Sequence, residues 1–335
     1  MGSEVTYSIN VFLPITNICR NRCWYCGFRR EVGSEWARFM RPEEVAELLE
    51  LAKGAGCSEA LFTLGERPEV HEDVRRVLGE LGYRGMTDYL EDLCKLALTH
   101  GLLPHTNAGV LSERELRQLR RWNASMGLML ECVAELPAHR ESPGKDPKLR
   151  LETIETAGKL KIPFTTGLLI GIGESFEDRA RSLLELMRVH EQYGHIQEII
   201  VQPFMPKPGT PMESCPSPSE EELLAVVAVA RLLMPSMNIQ VAPNLVRDVK
   251  KFLMAGANDL GGISPVTPDF INPERAWPKL KALGVAIRNA GFIPRERLPI
   301  YPRFARDPSF VSDEVYAVLD ELMDESGYRR LDDVR

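Results

Sequence analysis

The chain has 335 residues, 44% of them hydrophobic and 27% charged, and Lys+Arg 41 against Asp+Glu 48 leaves a net charge of −7. That is an ordinary globular composition, long enough to bury a full core without staples. It excludes a generic basic nucleic-acid surface, and no apolar run approaches the roughly 18 residues of a membrane span. The most apolar stretch, 223–234, is interrupted by Arg231. Eight short apolar runs have the length of strands, at 7–13, 60–64, 103–107, 126–132, 164–170, 198–204, 239–243 and 259–263. Most are bounded by Gly, Pro or polar residues. Helical patterns fit between them. Pro42-Glu43-Glu44 opens one that Gly54 closes. Ser112 with Glu115, Ser175 with Asp178 and Ser219 with Glu222 read as capping boxes. Each puts a hydroxyl and an acid where first-turn N–H groups need acceptors. The alternation predicts parallel strands with crossover helices. Eight strands over about 260 residues point to a (β/α)8 barrel with its chemistry at the C-terminal strand ends. A doubly wound open sheet is the alternative. After Gly284 the chain changes character, with Pro294, Pro299 and Pro302 breaking its pattern. A short helix is expected at 312–323, with Val315, Leu319 and Leu322 on one face. The expected division is a barrel over 1–283 and a tail over 284–335 that wraps the barrel or covers its mouth.

The start carries no secretory signal. Met1-Gly2-Ser3-Glu4-Val5-Thr6 fits the loose myristoylation pattern and reads better as a chance start. Seven cysteines, an odd number, argue for reduced thiols in the cytoplasm over a disulfide framework. Cys57, Cys94, Cys132 and Cys215 have apolar neighbours and read as packing thiols. Cys19, Cys23 and Cys26 are different, because they form a C-x3-C-x2-C cluster just after the first strand. A structural zinc site wants four ligands, usually as paired C-x2-C units. Here there is no second pair, and the first histidine is His71. Three thiolates without a local fourth ligand fit a cubane iron–sulfur cluster with one iron left open. A non-catalytic barrel holding zinc through a distant fourth ligand stays open as a rival.

Cys19-x3-Cys23-Trp24-Tyr25-Cys26, after the first strand of a β/α barrel, resembles the radical S-adenosylmethionine (SAM) superfamily. The resemblance implies a TIM-type (β/α)8 radical SAM barrel. Its three cysteines would hold a [4Fe-4S] cluster whose open iron takes the amino and carboxylate groups of SAM. It implies Tyr25 beside the adenine. Gly65 and Glu66 stand where the family's Gly-Gly-Glu element holds the methionyl amine, although Leu64 replaces the first glycine. Glu131 and Arg150 resemble the acid and base that clamp SAM, a task that suits the Arg fork. Gly167 and Gly171 belong to a fifth-strand glycine motif that lets the backbone approach adenine and ribose.

Further motifs narrow the resemblance to the first subunit of the deazaflavin (FO) synthase family, over about residues 5–303. They are Thr63-Leu64-Gly65-Glu66-Arg67-Pro68, His105-Thr106-Asn107-Ala108-Gly109, Met129-Leu130-Glu131, Ser142-Pro143-Gly144-Lys145, Pro163-Phe164-Thr165-Thr166-Gly167 and Asn258-Asp259-Leu260-Gly261-Gly262-Ile263-Ser264-Pro265. This implies that a low-potential donor such as ferredoxin or flavodoxin reduces the cluster, and that SAM is cleaved to methionine and a 5′-deoxyadenosyl radical. The radical would take a hydrogen atom from the 4-hydroxybenzyl adduct of 5-amino-6-ribitylaminouracil, which the tyrosine-using second subunit makes. Ring closure with loss of ammonia and further oxidation would give the 8-hydroxy-5-deazaflavin of coenzyme F-420. The enzyme would be a lyase with no catalytic side chain beyond its cofactors.

His105, Asn107, Thr165, Thr166, Gln202, Asn244 and Asp259 are the substrate candidates at strand ends. Amides and hydroxyls suit a uracil edge and a ribityl chain. Each also fits a capping or turn role, as Asn107 does before Ala108-Gly109. His105 fits a proton carrier or a plain hydrogen-bonded histidine. Lys207 reads as a loop charge, and Arg29-Arg30 and Arg120-Arg121 as solvated faces. Other radical SAM barrels share the cysteine motif: the tyrosine-using subunit and the biotin-synthase-like and tyrosine-lyase-like enzymes. Only the strand-end motifs separate them.

Overall fold

The computed structural model describes residues 3–330. The Met1-Gly2 start and tail residues 331–335 lie outside the described residues. Eight strands, β1 (Glu4–Thr16), β2 (Glu59–Leu64), β3 (Leu103–Asn107), β4 (Ser125–Gly127), β5 (Phe164–Ile170), β6 (Ile196–Pro203), β7 (Asn238–Gln240) and β8 (Asp259–Ile263), pair in sequence order. All these pairings are parallel, and β1 bonds both β2 and β8, so the sheet closes into the expected (β/α)8 barrel. Helices between the strands cover its outside. All seven residues of β5 are buried, because the strand faces the barrel interior on one side and helices on the other.

The local signals hold. The Ser112, Ser175 and Ser219 hydroxyls each accept the N–H three residues on, and each box is closed by its acid. Pro42–Gly54 is a helix, and Ser312 caps Asp313–Leu322. Among the described residues no helix is long and apolar enough to cross a membrane.

Two strands are shorter than their apolar runs. β4 ends at Gly127; beyond it the Leu128 N–H donates to the Thr165 carbonyl (3.0 Å), and a bridge joins Glu131 to Leu168. β7 stops at Gln240, ahead of Pro243, whose ring nitrogen has no hydrogen for a ladder. A ninth strand, β9 (Ile293–Glu296), lies in the proline-broken tail and pairs in parallel with the first residues of β1.

β9 directs the tail to the end of the barrel opposite the cysteines, which corrects the expectation of a covered mouth. The Pro299 carbonyl accepts from Ser125 Oγ (2.6 Å) and Gln197 Nε2 (2.9 Å), both at strand beginnings. Leu298, Ile300, Phe304, Val315 and Leu319 form an apolar cluster with Leu103 and Ala124. Arg297 enters the barrel axis, with Nε 2.7 Å from Asp259 and Nη2 3.2 Å from Glu198. The lower barrel is lined by buried Glu59, Glu198 and Asp259 and needs a cation, which the tail supplies. Of the arginines at 120 and 121, Arg121 is exposed as expected and Arg120 is half-buried, and both reach the tail. Arg120 donates to the Ser309 carbonyl (2.9 Å) and Arg121 pairs with Glu314 (2.5 Å), tying the tail to the barrel.

Candidate active site

The loop after β1 carries Cys19, Cys23 and Cys26, all free and partly exposed. Together they line a cavity of about 370 Å³ at the barrel mouth. Backbone N–H groups of Glu66 (3.1 Å) and Asn21 (3.4 Å) donate to Cys19 Sγ. Gly65 makes the first of these contacts feasible. A Cβ there would lie 2.0 Å from the Ile18 carbonyl oxygen and 2.8 Å from Cys19 Cβ. Burial pushes the Cys19 thiol up to about 11 and raises Cys26, the latter with help from Cys23. Iron would have to supply the positive charge that makes them thiolates. N–H donors aimed at sulfur fit a cluster ligand, where they tune the potential. Among the described residues no three His, Cys, Asp or Glu side chains converge as ligands of a single ion, so the zinc alternative finds no donor set. A cubane spreads its thiolates over different irons.

The opposite wall is built from ion pairs. Glu66 accepts from Arg20 Nη2 (2.7 Å) and the Val110 N–H (3.2 Å), with Arg150 Nη1 at 3.7 Å. Its carboxylate needs the glycines around it. A Cβ at Gly144 would fall 1.5 Å from Glu66 Oε1, and one at Gly109 2.3 Å from its Cγ. Arg150 is fixed by the carbonyls of Met129 (2.6 Å) and Gly144 (2.8 Å). Glu131 sits at φ +67, a left-handed conformation rare outside glycine, asparagine and aspartate. It pairs with Lys145 and lies 3.6 Å from Arg150. Burial raises its carboxyl, but Lys145 and Arg150 outweigh burial and hold it below the usual range. Tyr25 hydroxyl lies 2.9 Å from His139 Nε2, and burial pushes that imidazole down to about 4, so it is neutral.

Of the residues expected at SAM, Tyr25, Gly65, Glu66, Glu131 and Arg150 line this cavity. Gly167 and Gly171 do not. A Cβ at Gly167 would meet the Ile200 carbonyl oxygen of β6 at 2.2 Å, and Gly171, at φ +98, packs on Pro218. These two glycines serve the strand and its turn. Lys207 is no loop charge. It is buried, donates to Asn272 Oδ1 (2.8 Å) and lines the cavity. Arg29 lines it too, with Nε 3.3 Å from the Cys19 carbonyl.

A second cavity of about 170 Å³ lies deeper in the barrel. Phe12, Asn107, Thr165, Gln202 and Asn272 border both spaces. His105, Asn107, Thr165 and Gln202 line this second space. His105 Nδ1 is 2.6 Å from Ser125 Oγ, whose hydrogen goes to Pro299. Burial pushes His105 down to about 4. Thr166 is fully buried on the face of β5 opposite Thr165. Asn244 is engaged at the rim by Asp269 (3.0 Å) and the Arg275 carbonyl (3.1 Å). Asp259 opens β8 instead of ending it, and Arg297 and Thr6 occupy it. None of these three lines either cavity. Sequence reasoning missed Lys145 and Asn10 as wall residues and Arg20 as the partner of Glu66. A lone Asn amid the apolar first strand was the available signal for Asn10.

A radical SAM superfamily model matches residues 13–186. The chain belongs to that superfamily, whose members bind a [4Fe-4S] cluster through three cysteines and use SAM. It is 53% identical over 327 residues to the 7,8-didemethyl-8-hydroxy-5-deazariboflavin synthase of Methanosarcina barkeri, covering 97% of this chain and 99% of that one. It is 52% identical to the synthase of Archaeoglobus fulgidus, again over 97% and 99%. Within the superfamily it is a member of this synthase family. Among solved structures, methylornithine synthase aligns with a TM-score of 0.69 at 22% identity, over 88% of this chain and 84% of that one. The hydrogenase maturase HydG aligns at 0.71 and 17%, over 88% and 65%. These two likenesses show the fold alone.

Proposed function

We propose that this chain closes the deazaflavin ring in FO biosynthesis, acting on the 4-hydroxybenzyl adduct of 5-amino-6-ribitylaminouracil and releasing ammonia. The observation that carries this reading is the stacking of two spaces in one barrel, a cysteine-walled mouth above a polar interior chamber. In this reading Cys19, Cys23 and Cys26 hold the [4Fe-4S] cluster. Bound together, the cluster and SAM supply a 5′-deoxyadenosyl radical by one-electron cleavage of the sulfonium. Arg150, pinned by two carbonyls, offers its remaining donors to the methionyl carboxylate. Glu66 and Glu131 attract the amine, and Tyr25 lies against the adenine. Asn107, Thr165 and Gln202 stand where the two spaces meet, so they face both the nucleoside and the substrate. Arg297 closes the chamber below, which keeps a reactive radical from solvent. His105 is neutral; its Nδ1 lies 2.6 Å from Ser125 Oγ and its Nε2 3.3 Å from Asn107 Oδ1, so the ring braces Asn107 where the two spaces meet. The expected division at 283 falls inside the helix Leu280–Asn289, so the barrel runs on through that helix and carries the chemistry, and the described tail, 290–330, seals it from beneath. The tyrosine-using subunit and a low-potential donor such as ferredoxin or flavodoxin are the implied partners, and reduced thiols fit action in the cytoplasm.

The test is anaerobic reconstitution, followed by SAM, dithionite and the product of the tyrosine-using subunit. Fluorescent deazaflavin is the expected result. SAM cleavage without deazaflavin would direct the assignment to another radical SAM reaction.

A further inference from the structure

Two residues in the wall of the deeper chamber each carry a buried polar atom with no hydrogen-bond partner. Asn10 is 2% exposed, and its Oδ1 is buried and accepts nothing. Trp277 Nε1 is buried and donates to nothing. Both residues line the chamber. Native interiors seldom leave such atoms unpaired, so each instance asks for an explanation. The opposing backbone is shaped around the same amide. A Cβ at Gly262 would stand 2.2 Å from Asn10 Nδ2. A Cβ at Gly261, where φ is +70, would stand 2.7 Å from Gln240 Nε2. The paired glycines of β8 thus leave room for two carboxamides at the chamber wall.

The vacant chemistry is specific. A carboxamide offers an acceptor beside a donor, and an indole offers a donor only. A pyrimidinedione presents the complement, an N–H flanked by two carbonyl oxygens. We propose that Asn10 and Trp277 read the pyrimidinedione ring of the substrate: Asn10 Oδ1 accepts the ring N3–H, and Trp277 Nε1 donates to a ring carbonyl. This assignment rests on the function proposed above and adds which groups select the ring.

The test measures calorimetric binding of 6-(D-ribitylamino)uracil and its N3-methyl counterpart to the reconstituted, SAM-loaded enzyme. A single hydrogen bond is worth roughly three- to tenfold in affinity. The unmodified enzyme should prefer the parent compound by about that factor or more. Asn10→Ala should weaken the parent and bind both compounds alike. Trp277→Phe keeps an aromatic ring and removes the N–H together with part of the indole. It should weaken both compounds by the same factor and keep the preference between them. Cluster absorbance identifies variants that have folded. Equal binding of the two compounds by the unmodified enzyme overturns the proposal, as do variants that match it. If the unmodified enzyme makes deazaflavin but the variants bind like it, only the ring assignment fails. If it neither binds the pyrimidine nor makes deazaflavin, the function proposed above fails with it.

Discussion

Cys19 receives two backbone N–H groups, from Asn21 and Glu66, and so is oriented by two different loops. Cys23 has no such support, and only the spacing and the cavity argue for it as a ligand. A cubane needs three thiolates to stay bound while one iron is left open. Cys23→Ala should therefore abolish 5′-deoxyadenosine formation under dithionite, and retained product would remove Cys23 from the ligand set. Glu131 makes a second test. Its carboxyl lies below the usual range because Lys145 and Arg150 outweigh burial. A depressed carboxyl contributes favourably above its ordinary value near 4.3 and loses that contribution as pH falls through the lower folded value. Lys145→Met removes the nearer cation, so the acidic limb of the pH profile of SAM cleavage should move upward. An unmoved limb would detach Glu131 from the activity. Lys145 was visible in the sequence only as part of a motif. Its role needs the fold, because Glu131 meets it across 14 residues and a backbone kink.

Elements were legible where their determinants are local. The three serine boxes and the Pro42 start depend on residues within one turn, and all are helix starts. β3, β5 and β8 carry the bounds of their apolar runs. β4 and β7 do not, because apolar residues also serve a strand that has left the ladder. Asp259 shows a different limit at the site. It belongs to a strand as expected, but its position at the beginning of β8 places it with the tail instead of the substrate. Leu64-Gly65-Glu66 joins element to site, since the end of β2 abuts the cysteine loop through a missing side chain. Gly65→Ala would push its methyl group into the Ile18 carbonyl and Cys19. The barrel should still fold, with far-ultraviolet dichroism close to that of the parent chain, while cluster absorbance after reconstitution is mostly lost. Full cluster loading in that variant would refute the close-approach role.

The whole molecule is sealed from the end that the sequence left unread. Prolines hid β9, and nothing local tells that Arg297 will meet Glu198 and Asp259, which are 99 and 38 residues away. Removing one partner of a buried ion pair strands the other, at a cost of about 3–5 kcal/mol. Arg297→Met should lose stability on that scale in denaturant titration, and a loss well under 1 kcal/mol would mean that the tail does not stabilise the barrel floor. Glu198 adds a pH signature. Burial pushes its carboxyl from 4.5 up to about 7, against the pull of Arg297 and with the Asp259 charge adding to the rise. Between those values the folded chain keeps a proton that the unfolded chain has released. Stability from this group is therefore complete below the unfolded value and falls as pH rises toward 7. Glu198→Gln cannot titrate and should remove that downward slope between pH 5 and 7. Denaturation midpoints of both proteins across that window decide the matter, and a variant as steep as its parent would assign the slope to other groups.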